Sequence, residues 1–231
     1  MRGYFFCVDI LGFSRIVKNL DQHSLDSKIN SWVSLIEKLT AKYKLETYQL
    51  LSDTLLVGVG DTIEDLSNLI QFACDLLNES ILQSLPVRGA ISFGEYFWGK
   101  LVYGATVIEA HTFEKKQNWI GVCLNVSISI DMSKVKNLVL YPIPMSKNEI
   151  IKSHYAISWN VPTFEELATL TNRDGLGGRM LDWDWGDKIS NTVIFGLYLQ
   201  ALQDCKKTGE TFHGYHPVHF IDLTLRKKIV E

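Results

Sequence analysis

Apolar residues form two kinds of pattern along this chain. Residues 4–8 are a continuous apolar run, which is typical of a buried strand, whereas between residues 25 and 43 apolar side chains recur every three or four positions, which indicates an amphipathic helix. Such patterns predict strands over residues 4–8, 48–51, 54–59, 87–93, 119–126 and 138–141, and helices over residues 13–20, 25–43, 61–82 and 104–116. This order of elements favours an α+β sandwich in which the helices lie on one side of a mainly antiparallel sheet.

The final third of the chain carries weaker patterns. They predict a strand over residues 154–159, a short helix over 164–171 and a longer helix over 189–204. A glycine-rich segment, residues 173–179, is interpreted as a connection, because no strand precedes it as in a phosphate-binding loop. Since there is no recognisable linker or repeat, we predict one domain over residues 1–231, with a core over about 1–145 and a C-terminal elaboration over about 146–231.

Composition narrows the class of protein. The chain has 231 residues, of which 46% are hydrophobic and 21% charged, as in an ordinary globular domain. A net charge of −3 argues against a nucleic-acid partner, and no apolar stretch is long enough to cross a membrane. The four cysteines form no Cys-x-x-Cys pair and the N-terminus has no signal-peptide pattern, so we expect a cytoplasmic protein. His213, His216 and His219 match no zinc-binding motif.

Asp9 is the first candidate for chemistry. It ends the apolar run of the first strand and is followed by Gly12 and a predicted helix. A carboxylate can ligate Mg²⁺, and the N–H groups at a helix start can bind phosphate oxygens, so this arrangement suits a site for a metal-bound triphosphate. The alternative is that Asp9 only caps the helix.

Asp53 is the second candidate, at the tip of the predicted hairpin beside Ser52. Aspartate and serine are common turn residues, so taken alone this position predicts no more than a turn. With Asp9 on an adjacent strand, however, the two carboxylates can share two metal ions, as in enzymes that catalyse in-line displacement.

Four segments, in the same order, resemble the class III nucleotidyl cyclases. They are residues 9–14, 52–57, 85–95 and 102–110. The first two resemble the metal-binding segments of that family, although Ser52-Asp53 stands where Gly-Asp is more usual. The chain is most similar to the stand-alone bacterial pyrimidine cyclases of the Pycsar antiphage defence system. That similarity lies in Arg88-Gly89-Ala90, Tyr103-Gly104 and Phe113-Glu114-Lys115-Lys116.

This resemblance implies a fold, a reaction and partners. The fold would be the ferredoxin-like catalytic core of the class III cyclases. The reaction would convert UTP to 3′,5′-cyclic UMP and pyrophosphate, as a second messenger in antiphage defence with a downstream cyclic-nucleotide effector. Each site would bind two Mg²⁺ or Mn²⁺ ions and would lie at the interface of a symmetric homodimer. The alternatives are CTP or ATP as substrate, a degenerate domain that only binds nucleotide, and a partner-binding domain without catalysis.

The resemblance also implies roles for individual residues. Asp9, Asp53 and the backbone carbonyl of Ile10 would bind the metals, and the two aspartates would be catalytic. The remaining implied contacts are Gly12, Phe13 and Ser14 with the triphosphate, and Tyr48 and Gln49 with the base. Gln49 can donate and accept hydrogen bonds and Tyr48 can stack on a base, although the two can also simply alternate between core and surface on a strand.

One helix departs from the family. On the helix over residues 104–116, purine cyclases carry an asparagine and an arginine where this chain has Ile108 and Thr112. Neither side chain can do their work of orienting the ribose and stabilising charge in the transition state. The candidate substitutes for that charge are Arg88, Lys115 and Lys116. Their alternative interpretation is as solvated surface charges.

Overall fold

The structure is a computed structural model that describes residues 1–128, 131, 134–146, 153–173 and 183–209. Residues 174–179 of the glycine-rich segment and the histidines at 213, 216 and 219 lie outside the described residues. The strands are β1 (Arg2–Ile10), β2 (Tyr48–Leu51), β3 (Thr54–Val59), β4 (Val87–Glu95), β5 (Phe97–Trp98), β6 (Val102–Tyr103), β7 (Gly121–Leu124), β8 (Leu138–Pro142) and β9 (Ser153–Ile157). The helices are α1 (Phe13–Asn19), α2 (Gln22–Tyr43), α3 (Ile63–Leu82), α4 (Ala105–Lys116), α5 (Phe164–Arg173) and α6 (Trp183–Thr208).

Seven of these strands form one sheet in the order β2-β3-β1-β4-β7-β9-β8, and β5 pairs with β6 in a separate two-stranded ribbon. Neighbouring strands in the sheet are antiparallel except for β4 and β7, which are parallel. This confirms the predicted α+β class with a mainly antiparallel sheet. The sequence patterns do not reveal the ribbon, because each of its strands is only two residues long.

β1 is an interior strand of the sheet, and its two faces pack against different helices. Phe6 contacts Phe72 of α3, with ring centroids 6.3 Å apart. The neighbouring side chains Phe5 and Cys7 point the other way and share a buried cluster with Ala110 of α4. The prediction that the helices lie on one side of the sheet is therefore wrong. A continuous apolar run has to be covered on both faces, and α4 covers the second one.

Hydrogen bonds at the helix starts fix where α2 and α3 begin. The Asp21 carboxylate accepts from the backbone N–H of Ser24 at 2.9 Å, so α2 begins before residue 25, where the apolar periodicity starts. Thr62 and Asp65 cap each other reciprocally at the start of α3. The β2–β3 hairpin lies between these two helices in the chain, and the capped start of α3 follows it closely.

The C-terminal elaboration continues the same sheet and the same core. β9 lies between β7 and β8, so the chain returns to insert a strand beside an earlier one. On α6, Thr192 Oγ1 accepts from the N–H of Ile120 at 2.9 Å, and the Phe195 ring lies edge-on to Trp119 with centroids 4.9 Å apart. Within the described ranges, no helix combines the length and apolar character that a membrane crossing requires.

Candidate active site

Strand register brings Asp9 and the hairpin turn together at one end of the sheet. Asp9 on β1 pairs with Thr54 on β3 and with Arg88 on β4, so all three side chains point to the face that α4 covers. The Thr54 hydroxyl donates to Asp9 Oδ1 at 3.0 Å. The N–H of Ile10 donates to the carbonyl of Asp53 at 3.3 Å. The end of β1 is therefore bonded to the turn that carries Asp53.

The Asp9 carboxyl has a pKa raised to about 6. Partial burial is the main cause, and the negative charges of Asp53 and Glu114 act in the same direction. The hydrogen bond from Thr54 and the positive charge of Arg88 lower the pKa but do not outweigh the other two effects. A cation beside Asp9 is favourable here, because it offsets both the cost of burial and the repulsion between carboxylates.

The aspartate pair fits a hard divalent metal. Asp9 and Asp53 supply the carboxylate oxygens that Mg²⁺ and Mn²⁺ prefer. In the part of the chain that the structure describes, no group of three or more His, Cys, Asp and Glu side chains is arranged to hold a metal ion. Two carboxylates satisfy only part of an octahedral shell, so backbone carbonyls such as that of Ile10, water or a ligand's own oxygens have to supply the rest. This donor set suits a metal that arrives with a phosphorylated ligand.

The hairpin turn has the geometry of a glycine turn. Ser52 has φ of 59°, in the left-handed region. Two-residue hairpin turns favour this conformation, and glycine adopts it without the steric cost of a Cβ atom. Ser52 therefore holds the shape that a Gly-Asp turn would have, at a cost of about 1 kcal/mol.

The predicted triphosphate segment lies directly beyond Asp9 in the chain. Gly12 starts α1 with φ of 79°, and no side chain caps this helix. The N–H groups of a first helical turn, here those of Phe13 and Ser14, have no partner within the helix itself. Their contact with phosphate stays a prediction.

The two predicted base contacts lie on opposite faces of the sheet. Gln49 on the edge strand β2 pairs with Leu56 of β3, and both point to the face that carries Asp9. Tyr48 pairs with Val57, whose side chain belongs to the main core beneath α2 and α3. The structure therefore brings Gln49 to the face of the candidate site but does not bring Tyr48 there. Side chains alternate between the two faces along β2, so these neighbouring residues point in opposite directions.

Arg88 is held by α4. Its Nε and Nη2 atoms both lie 2.7 Å from Glu114 Oε1, and its Nη1 atom donates to the Gln117 carbonyl at 2.7 Å. Glu114 is only 1% exposed, and burial raises the pKa of its carboxyl while Arg88 acts to lower it. Moving Arg88 to a bound nucleotide would leave a buried carboxylate unpaired, which is costly. In this arrangement Arg88 fixes α4 against β4 beside Asp9.

The outer face of α4 carries the remaining candidates. Its exposed side chains include Ile108, His111, Thr112 and Lys115, whereas Lys116 is half-buried. Partial burial is the main cause of a lowered pKa of His111, the charge of Lys115 adds to it, and the charge of Asp9 opposes it. These interactions place His111 and Lys115 on the side of the site, while Ile108 presents an apolar surface that is 68% exposed.

No family model and no curated protein matches this chain. Among solved structures, the adenylyl cyclase CyaB from P. aeruginosa has 16% identity and a TM-score of 0.53, over 67% of this chain and 92% of that one. The catalytic core of a rhodopsin-guanylyl cyclase with converted specificity, in complex with ATPαS, has 17% identity and a TM-score of 0.53, over 67% and 94%. A bacterial light-regulated adenylyl cyclase has 15% identity and a TM-score of 0.51, over 74% and 96%. The chain has the fold of the class III cyclase catalytic domains.

Two polar residues at this end of the cyclase fold have no role in the sequence prediction. The Thr54 hydroxyl donates a hydrogen bond to Asp9. Thr54 directly follows the turn at Asp53, so the register of β1 with β3 is all that is needed to predict that it lies opposite Asp9. Glu114 lies four residues after Ala110 on the buried side of α4. A charged residue on a buried helix face signals a partner of opposite charge, and that partner is Arg88.

Proposed function

We propose that this protein is a pyrimidine nucleotide cyclase that converts UTP to 3′,5′-cyclic UMP and pyrophosphate. The proposal depends on one observation above all: Asp9, near the end of the interior strand β1 of a cyclase fold, lies beside the turn that carries Asp53, and the charge of Asp53 acts on the Asp9 carboxyl. In the reaction, the ribose 3′-oxygen bonds to the α-phosphorus, the bond from that phosphorus to the bridging oxygen of the β-phosphate breaks, and the hydroxyl proton is lost.

Asp9, Asp53 and the Ile10 carbonyl are the proposed ligands of two Mg²⁺ or Mn²⁺ ions. Bound there, such ions lower the pKa of the 3′-hydroxyl and neutralise the triphosphate charge. The hydrogen bond from the Thr54 hydroxyl fixes one oxygen of Asp9 and thereby orients the other. The backbone N–H groups of Gly12, Phe13 and Ser14 are the proposed triphosphate contacts. These three residues follow the end of β1 closely and include the start of α1.

Gln49 is the proposed reader of the base. Its side-chain amide can donate to a carbonyl oxygen of uracil and accept from the N3–H group. Because Tyr48 lies on the other face of the sheet, it is not available to stack on a base beside Gln49. The proposed preference for UTP therefore depends on Gln49 and on the family resemblance. Cytosine presents a different pattern of donors and acceptors, so CTP is the closest competing substrate.

Exposed apolar side chains support a homodimer. Phe97 and Tyr103 of the β5–β6 ribbon stack with ring centroids 4.9 Å apart and are 49% and 57% exposed. Leu101 between them and Ile108 on the adjacent helix α4 are 72% and 68% exposed. Contiguous exposed apolar surface marks interaction sites. We propose that these residues meet a second copy, so that the metal end of one protomer and the base-reading strand of its partner complete each site.

The test is incubation of the purified protein with each of the four nucleoside triphosphates and Mn²⁺, with products identified by mass spectrometry. We expect cyclic UMP from UTP, and loss of at least a hundredfold in rate for Asp9→Ala and Asp53→Ala. Asp61→Ala, which removes an exposed carboxylate elsewhere on the surface, is the matched control. Cyclic CMP or cyclic AMP as the main product would change the assigned base, and no cyclic product from any substrate would refute the enzyme.

A second candidate is a nucleotide-binding domain without turnover. It is favoured by Ile108 and Thr112, which stand at the positions of the family asparagine and arginine, and by the commitment of Arg88 to Glu114. Tight binding of UTP with Mn²⁺ and no product would support it.

The biological role that we propose is signalling during phage infection, in which the cyclic nucleotide acts on a downstream effector. Cyclic UMP measured in bacteria that express the protein should rise after infection, and should not rise with the Asp9→Ala variant. An unchanged level in infected wild-type cells would refute this role while leaving the enzymatic proposal standing.

A further inference from the structure

A cavity of about 670 Å³ lies at the end of β1 that is far from Asp9. We call it the Tyr4 cavity, and the residues that line it include Arg2, Tyr4, Phe93, Glu95, Ser127 and Ile128. Arg2 and Tyr4 on β1 pair with Glu95 and Phe93 on β4, so these four side chains share one face of the sheet. Asp9 is further along β1 by about 23 Å of extended strand, so the cavity is separate from the candidate active site.

A tyrosine hydroxyl without a partner belongs to the wall of the Tyr4 cavity. Tyr4 is only 1% exposed, and no described residue forms a hydrogen bond with its hydroxyl. This hydroxyl is not among the buried polar atoms that are sealed from solvent, so the small exposed part of Tyr4 faces the cavity that it lines. Burial is the main cause of a raised pKa of Tyr4, and the charges of Asp61 and Asp65 add to it, so the phenol keeps its proton and can donate. A ligand's acceptor atom can supply the missing partner.

Two opposite charges line the Tyr4 cavity without pairing with each other. Arg2 and Glu95 are directly opposite on adjacent antiparallel strands, a position in which opposite charges stabilise each other. The Arg2 guanidinium instead lies over the Phe93 ring, with its Cζ atom 5.4 Å from the ring centre. Neither Arg2 nor Glu95 forms an ion pair with a described residue, and both side chains are exposed. A positive and a negative group therefore stand side by side, each able to bind a ligand.

We infer that the Tyr4 cavity binds a free α-amino acid, whose carboxylate accepts from the Arg2 guanidinium and the Tyr4 hydroxyl while its ammonium group donates to Glu95. A guanidinium presents a fork of donors that matches a carboxylate. Cβ atoms at opposite positions of adjacent strands are about 5 Å apart, so the two charges suit a ligand whose own charges are separated by one carbon. Glu95 repels a phosphate or a nucleotide, so the balanced pair selects a zwitterion.

L-Leucine is the probe for binding, because Phe93 and Ile128 line the same cavity and favour an apolar side chain. Its matched controls are leucinol, which has a hydroxymethyl group in place of the carboxylate, and N-acetyl-L-leucine, which lacks the ammonium charge. In titrations followed by protein chemical shifts, we expect millimolar affinity for L-leucine and at least tenfold weaker binding of both controls, because each loses a charge-assisted contact. Equal binding of the three compounds, or no binding of L-leucine at tens of millimolar, would overturn the inference.

Two variants assign each charge of the ligand to its residue. Arg2→Gln should weaken L-leucine binding and remove the discrimination against leucinol, whereas Glu95→Gln should remove the discrimination against N-acetyl-L-leucine. Both side chains are exposed, so neither substitution disturbs the core. Lys100→Gln and Glu109→Gln, which remove exposed charges outside the cavity, are the controls and should leave the affinity unchanged. Retained discrimination in either test variant would refute the assigned site.

Tyr4→Phe keeps the buried ring and removes only the hydroxyl. We expect L-leucine affinity to fall by about threefold to tenfold, as one hydrogen bond to a carboxylate provides, while leucinol affinity changes little. An unchanged affinity for L-leucine would contradict the contact with Tyr4. These titrations contain no nucleotide, so their outcome is separate from that of the proposed cyclase activity.

Discussion

Replacing Asp9 with asparagine should stabilise the metal-free protein at pH 8 while it abolishes turnover. The amide has nearly the shape of the carboxylate and keeps an oxygen that can accept from the Thr54 hydroxyl, so the local structure is preserved. What disappears is a negative charge that is partly buried and lies near the charges of Asp53 and Glu114. The site therefore holds a group that is unfavourable for folding until a cation is bound.

The magnitude follows from the pKa of Asp9, which is raised from 3.8 to about 6. This shift of the pKa means that the ionised carboxylate destabilises the native state by at most about 3 kcal/mol. Solvent screens a group that is only partly buried, so the expected gain in unfolding free energy is about 1–2 kcal/mol.

The sign depends on pH. Because the raised pKa means that the native state binds the proton more tightly than the unfolded state, the ionised carboxylate destabilises the native protein above pH 6. This penalty develops between about pH 4 and pH 6 and is absent below that window. The gain from Asp9→Asn should thus be present at pH 8 and close to zero at pH 4.

Urea unfolding at both pH values, with EDTA and at a fixed protein concentration, measures the effect. Asp61→Asn removes an exposed carboxylate and should give no gain. Addition of Mn²⁺ should stabilise the wild-type protein and have little effect on Asp9→Asn, because a ligand that binds only the native state raises its stability. The reasoning is refuted if Asp9→Asn destabilises the protein at pH 8, or if its gain is equal at the two pH values.

Three further variants test other parts of the structure. Ser52→Gly should raise the unfolding free energy by about 0.5–1 kcal/mol in thermal or urea unfolding, because glycine adopts the left-handed turn without strain, and a loss of stability would contradict the assigned turn. Arg88→Ala should lower the unfolding free energy by about 3–5 kcal/mol, because it leaves Glu114 buried and unpaired. The double variant Arg88→Met with Glu114→Leu should recover most of that loss. Equal losses in the two variants would contradict the ion-pair account. Ile108→Asp should shift the protein from dimer to monomer in light scattering with little change in monomer stability, while Leu82→Asp on the far end of α3 should not; an unchanged dimer would exclude the α4 face as the interface.

The position of Asp9 beside the turn at Asp53 can be predicted from the sequence because local patterns determine it. The apolar run that ends at Asp9 and the two-residue turn at Asp53 each specify their own backbone, and the pairing of adjacent strands then brings Asp9 beside that turn. Local patterns also determine the individual helices and strands, and their order predicts the α+β class that the structure confirms.

Other features depend on contacts between elements that are distant in the chain. Tyr48 and Gln49 are neighbours in sequence, but only the pairing of β2 with β3 decides which of them shares a face with Asp9. From the sequence alone, Arg88 is a candidate active-site cation. Its ion pair with Glu114 becomes visible only when α4 packs against β4. The sequence does not predict the second helical layer. An apolar run such as that of β1 indicates that both faces of the strand are buried, but it does not indicate which helix packs on each face.

The position of β9 has a consequence for how the chain can be made. β7 is buried along its whole length, and one of its edges is closed by β9, which is synthesised about 30 residues later. On the ribosome, a nascent chain that has reached residue 145 contains Asp9 and Asp53 but has an open, apolar sheet edge and a β8 strand with no neighbour in the sheet. The end of the sheet that carries Asp9 and Asp53 therefore depends for its protection from aggregation on a segment that comes later in the chain.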